Sequence, residues 1–175
     1  MRKNLFVTGR PGVGKTTLIR AVLRELPVEA GGFYTEEIRE SGRRTGFSIA
    51  DLKGPRGVLA HEKLDSPYRV GRYGVNRGDL ESVGVEALDA AVAGAPLIVM
   101  DEIGRMELCS PAFTRAVQRA LDCPVPVLGT IQDRTNEFLD AVRARDDVEI
   151  VTITDSNRET AREIVLSKLI AALGV

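Results

Sequence analysis

The chain has 175 residues and a formal net charge of −1, a length that suits one domain, 1–175, burying about 70% of its unfolded surface. The near-neutral balance gives no basic field for nucleic acid, no apolar run approaches the ~20 residues of a membrane span, and the short charged N-terminus does not read as a signal peptide. Cys109 and Cys123 lie fourteen residues apart without a second pair, which fits free thiols in a reducing, cytoplasmic setting better than zinc.

Taken in chain order, Lys3–Thr8 reads as a strand. Gly9-Arg10-Pro11-Gly12-Val13-Gly14-Lys15-Thr16 follows at once and matches the phosphate-binding loop at every defined position. Glycines there let the backbone curl and turn its N–H groups inward on phosphate oxygens. Apolar residues at 18, 19, 22, 23 and 26 predict a helix from Thr16 to Leu26, stopped by Pro27. Its N-terminus favours an anion. Lys15 is placed to reach the β- and γ-phosphates, the Thr16 hydroxyl to ligate magnesium, and Thr17 to extend the same wall. The plainer alternative, a glycine-rich turn before a helix, does not account for the strand before it or the acids downstream.

Gly32–Glu40 and Arg44–Leu52, separated by Ser41-Gly42, predict an antiparallel hairpin. Glu36 and Glu37 are candidates to position water or magnesium indirectly, against an ordinary role at a solvated strand end. Gly57–Glu62 reads as a further short strand. Its His61, the only histidine, has no companion ligands and reads as a strand residue. Arg69, Arg72 and Arg77, interleaved with Tyr68 and Tyr73, are candidates for an arginine that neutralises γ-phosphate charge. Asp79 reads as the N-cap of a helix to Val92, ended by Gly94.

Leu97-Ile98-Val99-Met100 is apolar without alternation and short, the signature of a buried parallel strand. Asp101 then falls on the carboxyl edge where open α/β sheets bind ligands, suited to hold magnesium. Glu102 beside it can take a proton from an attacking water. Arg105 is a fourth candidate for the charge-neutralising arginine. Beyond lie a helix from Pro111 to Leu121, a strand Val125–Thr130, a helix near Asn136–Arg145, a strand Val148–Ile153 and a helix from about Asn157 to Leu173. Thr130, ending a core strand, could sense the γ-phosphate or hold the water. Asn157-Arg158 could meet the base, unless Ser156 or Asn157 is simply an N-cap. The alternation after residue 95 predicts an α/β fold with a doubly wound, mostly parallel sheet, interrupted by an antiparallel β-hairpin insertion around 31–76.

The phosphate loop with Thr17, Gly32-Phe33-Tyr34-Thr35-Glu36-Glu37-Ile38-Arg39, Arg72-Tyr73-Gly74-Val75 and Asp101-Glu102-Ile103-Gly104-Arg105-Met106-Glu107-Leu108 together resemble the small nucleoside-triphosphatase family of thermophilic prokaryotes, to which the cancer-related nucleoside triphosphatase of animals is related. The resemblance runs over essentially the whole chain. It implies a RecA-like P-loop fold and magnesium-dependent hydrolysis of nucleoside 5′-triphosphates with broad base tolerance. It further implies that Gly9–Thr16 and the segment Leu97, Ile98, Val99, Met100, Asp101, Glu102, Ile103 and Gly104 line the nucleotide.

Two other classes share some of these motifs. A small-molecule kinase would use the same phosphate contacts with the Arg-rich 68–77 segment closing over an acceptor; Glu102 directly after Asp101 favours water as the acceptor. A GTP-dependent switch would carry an Asn-Lys-x-Asp sequence after the second acidic motif, whereas Asn76-Arg77-Gly78-Asp79 lies before it and has Arg for Lys. The expected ligands are nucleoside triphosphates and Mg2+; no protein partner is legible.

Overall fold

A computed structural model describes residues 2–175. The first strand, β1 (Asn4–Thr8), feeds the glycine loop and α1 (Lys15–Glu25). Then come β2 (Ala30–Glu40), β3 (Arg43–Asp51), β4 (Arg56–His61), β5 (Arg69–Val70) and β6 (Tyr73–Val75). A one-turn α2 (Arg77–Asp79) runs through a π-helical stretch, Leu80–Val85, into α3 (Glu86–Gly94). The remainder alternates: β7 (Leu97–Ile103), a 3-10 turn at Glu107–Cys109, α4 (Pro111–Asp122), β8 (Val127–Ile131), α5 (Glu137–Arg143), β9 (Val148–Thr152) and α6 (Arg158–Leu173).

All nine strands form one sheet in the order β5-β6-β4-β3-β2-β7-β8-β1-β9. The five from β2 to β9 in that order are mutually parallel. β8 sits between β1 and β7, the RecA-like arrangement that the resemblance implies. The expected insertion is refined at its boundary: the first half of β2 pairs in parallel with β7, from Ala30↔Leu97 to Tyr34↔Asp101, so the antiparallel part is β3 to β6. Ser41 and Gly42, both at positive φ, make the tight turn between β2 and β3.

Both faces of the parallel strands are buried, which is why they read as unbroken apolar runs. Leu5, Val7, Leu97 and Val99 pack on one side with Leu18, Ile19 and Val22 of α1 and Val165 and Leu169 of α6. The alternate positions Phe6, Ile98 and Met100 pack on the other side with Leu88, Phe113, Val117 and Leu139. Phe33 of β2 meets Phe113 of α4 edge-to-face, centroids 5.6 Å apart. Each large side chain buried this way contributes roughly 1.5–3 kcal/mol.

The helix after the insertion departs from its sequence reading. Asn76 is its N-cap, accepting from the Asp79 N–H at 3.0 Å, while the Asp79 carboxylate accepts from the Val58 N–H of β4 at 2.8 Å. Asp79 thus ties the helix to the sheet instead of starting it.

Candidate nucleotide-binding and catalytic site

The loop at 9–14 turns on three glycines at positive φ: Gly9 at 153°, Gly12 at 78° and Gly14 at 106°, conformations costly for any residue with a Cβ. Gly14 is also the N-cap of α1. It offers no side chain to the first-turn N–H groups, and that turn holds no acid. The start of α4 is built differently: Ser110 caps it through its hydroxyl. An uncapped, acid-free N-terminus leaves its donors and dipole available to an anion. Lys15 folds over the loop, its Nζ donating to the carbonyls of Gly9 at 2.9 Å and Arg10 at 3.3 Å.

The loop is braced from the far end of the chain. Arg158, at the start of α6, donates from Nε to the Val13 carbonyl at 2.7 Å and pairs with Asp155 at 2.6 Å. Asp155 also pairs with Arg10. Arg158, named in the sequence for the base, therefore touches the phosphate loop itself. Asn157 spends its side chain on the local turn, accepting from the Thr154 N–H at 2.7 Å.

The second half of the site stands at the end of β7. Asp101 is 2% exposed. One of its oxygens, Oδ1, accepts from the Thr130 hydroxyl of β8 at 2.6 Å; the other, Oδ2, is buried without a hydrogen-bond partner. Thr130 thus orients the aspartate. Burial pushes the Asp101 carboxyl up, and the hydroxyls of Thr130 and Thr16 and the charges of Arg20 and Lys15 pull it back. A buried anionic oxygen left over, with a threonine hydroxyl and a phosphate loop nearby, suits a hard divalent cation. Among the described residues no group of three His, Cys, Asp or Glu could hold a metal by itself, so such an ion would depend on phosphate oxygens as well, as magnesium commonly does.

Glu102 is half-buried. Its Oε1 accepts from Gln132 Nε2 at 3.1 Å. Burial raises its carboxyl, Lys15 lowers it, and the neighbouring charge of Asp101 raises it again. Leu97, Ile98, Val99, Met100 and Ile103 are at most 1% exposed. They carry the acids to the sheet edge from within the two cores, and Val99 lies along the wall of the cleft beside α1. Gly104 and Arg105 lie on the exit loop, with Arg105 exposed.

Other candidates fall elsewhere. Glu36 pairs with Arg20 at 2.5 Å and Arg56 at 2.9 Å, and Glu37 with Arg39 and Arg44; Arg20 and Arg56 hold the Glu36 carboxyl below the usual range, and at Glu37 burial raises the carboxyl but Arg44 and Arg39 together bring it below. Arg20, Glu36, Tyr34 and Asp101 line an open cleft of about 300 Å3 along α1. Arg69 and Arg72 belong to the far edge of the sheet. Arg69 donates to the Arg72 carbonyl, and Arg72 to the Arg44 carbonyl and the Tyr73 hydroxyl. Arg77 is held by Glu81 and Tyr68. β6 lies six strand positions from β1, roughly 30 Å at ordinary inter-strand spacing. Only Arg105 among the four arginines lies on the segment that carries the acids, and Arg69 and Arg72 lie at the sheet edge away from the phosphate loop. His61 accepts from the Lys63 N–H as a strand-end residue, and Cys109 and Cys123 are free thiols. Gln132, Arg20 and the brace at Arg158 escaped the sequence reading.

A glycine loop and an acidic strand end on one edge of a RecA-like sheet define a P-loop nucleotide-binding enzyme. The family model described as NTPase matches residues 4–166. The nucleoside-triphosphatase THEP1 of Thermotoga sp. (strain RQ2) is 47% identical over 165 residues, 94% of each chain. That of Thermofilum pendens is 44% identical, over 93% of this chain and 95% of its own. The crystal structure of THEP1 from the hyperthermophile Aquifex aeolicus superposes with a TM-score of 0.87 at 34% identity, covering 95% of this chain and 98% of that one. The solution structure of a human cancer-related nucleoside triphosphatase gives 0.83 at 36% identity, over 97% and 98%. The chain belongs to the THEP1 nucleoside-triphosphatase family. No helix among the described residues is long and apolar enough to cross a membrane.

Proposed function

We propose that this enzyme hydrolyses nucleoside 5′-triphosphates (ATP, GTP, CTP and UTP or TTP) to the diphosphate and phosphate, with Mg2+ as cofactor and broad base tolerance. The observation that carries the reading is Glu102: a half-buried carboxylate next to the unpartnered Asp101 oxygen, on the same sheet edge as the phosphate loop. The Thr16 hydroxyl and Asp101 would hold magnesium, which when bound neutralises phosphate charge.

The chain's own residues do the rest. N–H groups of the 9–14 loop and of the first turn of α1 bind the phosphates, and Lys15 neutralises the β- and γ-oxygens. Glu102 accepts a proton from water as the water oxygen bonds to the γ-phosphorus and the bond to the β-phosphate oxygen breaks. Burial makes Glu102 a stronger base than a free glutamate. Arg105, three residues on, supports the charge that develops on the γ-phosphoryl group. The proposed phosphate contacts do not distinguish one base from another, which supports broad tolerance.

The test is phosphate release with each of ATP, GTP, CTP and UTP, magnesium present and no acceptor added. Steady release from all four, lost on chelation and at least about 100-fold slower in Glu102→Gln with nucleotide binding retained, is the expected result. Near-normal turnover by Glu102→Gln would remove that residue from the mechanism; tight binding without release would shift the reading to a kinase.

A further inference from the structure

We propose that Gln132 is a positioning residue for hydrolysis, setting the carboxylate of Glu102 and coupling it to the Arg105 loop; the proposal rests on the hydrolase reading above. Gln132 follows β8 directly and is fixed at four points. Its backbone N–H donates to the Ile103 carbonyl at 3.1 Å, and its own carbonyl accepts from the Arg143 guanidinium. Its side-chain Nε2 donates to Glu102 Oε1 at 3.1 Å, and its Oε1 accepts from the Arg105 N–H, also at 3.1 Å. This polarity is the one the partners require. A carboxylate can only accept and a backbone N–H can only donate, so the flipped amide would face like with like at both ends.

A second observation concerns the loop that Gln132 lies against. A Cβ at Gly104 would come within 2.5 Å of Gln132 Cδ and 2.6 Å of Nε2. The loop after Glu102 can approach the amide only because residue 104 lacks a side chain. Arg143 is anchored in turn by Asp140 at 2.8 Å and by the Arg134 carbonyl at 3.1 Å, so the last turn of α5 holds the Gln132 backbone. Among the described residues no other side chain hydrogen-bonds the Glu102 carboxylate. A glutamate that must point at water, beside Asp101, gains orientation from that one donor. The same amide locks the backbone of Arg105, the arginine adjoining the acids. Gln132 thus acts on the reaction through other groups.

A double-mutant cycle tests this, with turnover and nucleotide affinity read in parallel. Gln132→Ala and the isosteric Gln132→Glu, which keeps the acceptor for Arg105 but sets a like charge against Glu102, should lower kcat by about 10-fold and about 100-fold respectively. Affinity for Mg–ADP should stay within about threefold of wild type, since no phosphate contact is lost. In the Glu102→Gln background, Gln132→Ala should cost less than about twofold, because its target has already been removed. The same 10-fold loss in both backgrounds, a rise in KM matching the fall in kcat, or wild-type kcat in Gln132→Glu would each overturn the proposal. Wild-type protein that releases no phosphate would overturn the hydrolase reading and this one with it; wild-type release with an additive cycle would overturn this one alone. If Gln132→Ala unfolds, Gln132→Glu carries the test by itself through its kcat and affinity.

Discussion

At the scale of the residue, two buried groups beside the reacting centre have opposite needs. On the proposed magnesium role Asp101 must keep one oxygen for the cation while the other is held, and Thr130 does the holding with a 2.6 Å bond inside the core. Thr130→Val has the same shape and loses only the donor. Partners that orient a metal-binding carboxylate typically matter by 10- to 100-fold in metal affinity. We therefore expect the magnesium concentration for half-maximal phosphate release to rise at least about 10-fold in Thr130→Val, with metal-free nucleotide binding unchanged; an unaltered magnesium titration would sink the assignment. Glu107 is 3% exposed and has the contrary problem. Burial, and then the charge of Glu102, push its carboxyl from an ordinary 4.5 up to about 8. The folded protein thus keeps a proton there that the unfolded chain gives up, so this group's stabilising contribution is complete below about pH 4.5 and is lost as pH rises towards 8. Glu107→Gln is neutral throughout. In chelator and without nucleotide, its Tm should gain on wild type from pH 5 to pH 8, and a gap that stays constant with pH would show that Glu107 is ionised in the fold.

At the scale of the element, the caps show what local sequence can and cannot specify. Ser110 is fully buried; its Oγ accepts from the Phe113 N–H at 3.1 Å and donates to Glu81 Oε1 at 2.7 Å, so one hydroxyl starts α4 and ties it to the π-helical stretch before α3. Ser110→Ala removes both and should cost about 1–2 kcal/mol. Asn136→Ala, which uncaps the exposed start of α5, should cost no more than about 1 kcal/mol. Equal falls in Tm, measured by thermal melts, would mean the buried link to Glu81 contributes nothing. The start of α4 was legible because Pro111 marks it and its contacts are three residues away. The start of α2 was not, because Asn76 and Asp79 are both good caps and the choice between them is made by Val58, on another strand. Strands β5 and β6 were missed for a similar reason: with two and three residues they carry no periodicity, and pairing with β4 alone defines them.

At the scale of the molecule, what the sequence revealed of the site was the part written locally. The 9–16 loop and Asp101-Glu102 each sit within one strand end, and the resemblance supplied the sheet that joins them. The contacts of Gln132 with Glu102 and of Arg158 with the phosphate loop were unreadable because the partners lie 30 and 145 residues apart, where no spacing rule reaches. The arginines show the same limit from the other side. Arg69, Arg72, Arg77 and Arg105 are equivalent as letters; sheet order sets Arg69 and Arg72 apart, and the tether to Glu81 and Tyr68 sets Arg77 apart. Five strands lie between β6 and β1, a span of roughly 30 Å, well beyond the reach of an arginine side chain. Arg72 is moreover occupied, lying over the Tyr73 ring at 5.1 Å and donating to its hydroxyl. Arg105→Ala should therefore lower kcat by at least about 10-fold. Arg72→Ala should leave kcat within about twofold while lowering Tm, because it loosens the far edge of the sheet. Both should be compared across a dilution series, since an arginine supplied by a second copy would lose its effect on dilution. A large loss of kcat in dilute Arg72→Ala, with Arg105→Ala unaffected, would reverse the assignment and require the antiparallel extension to fold over the phosphate loop during turnover.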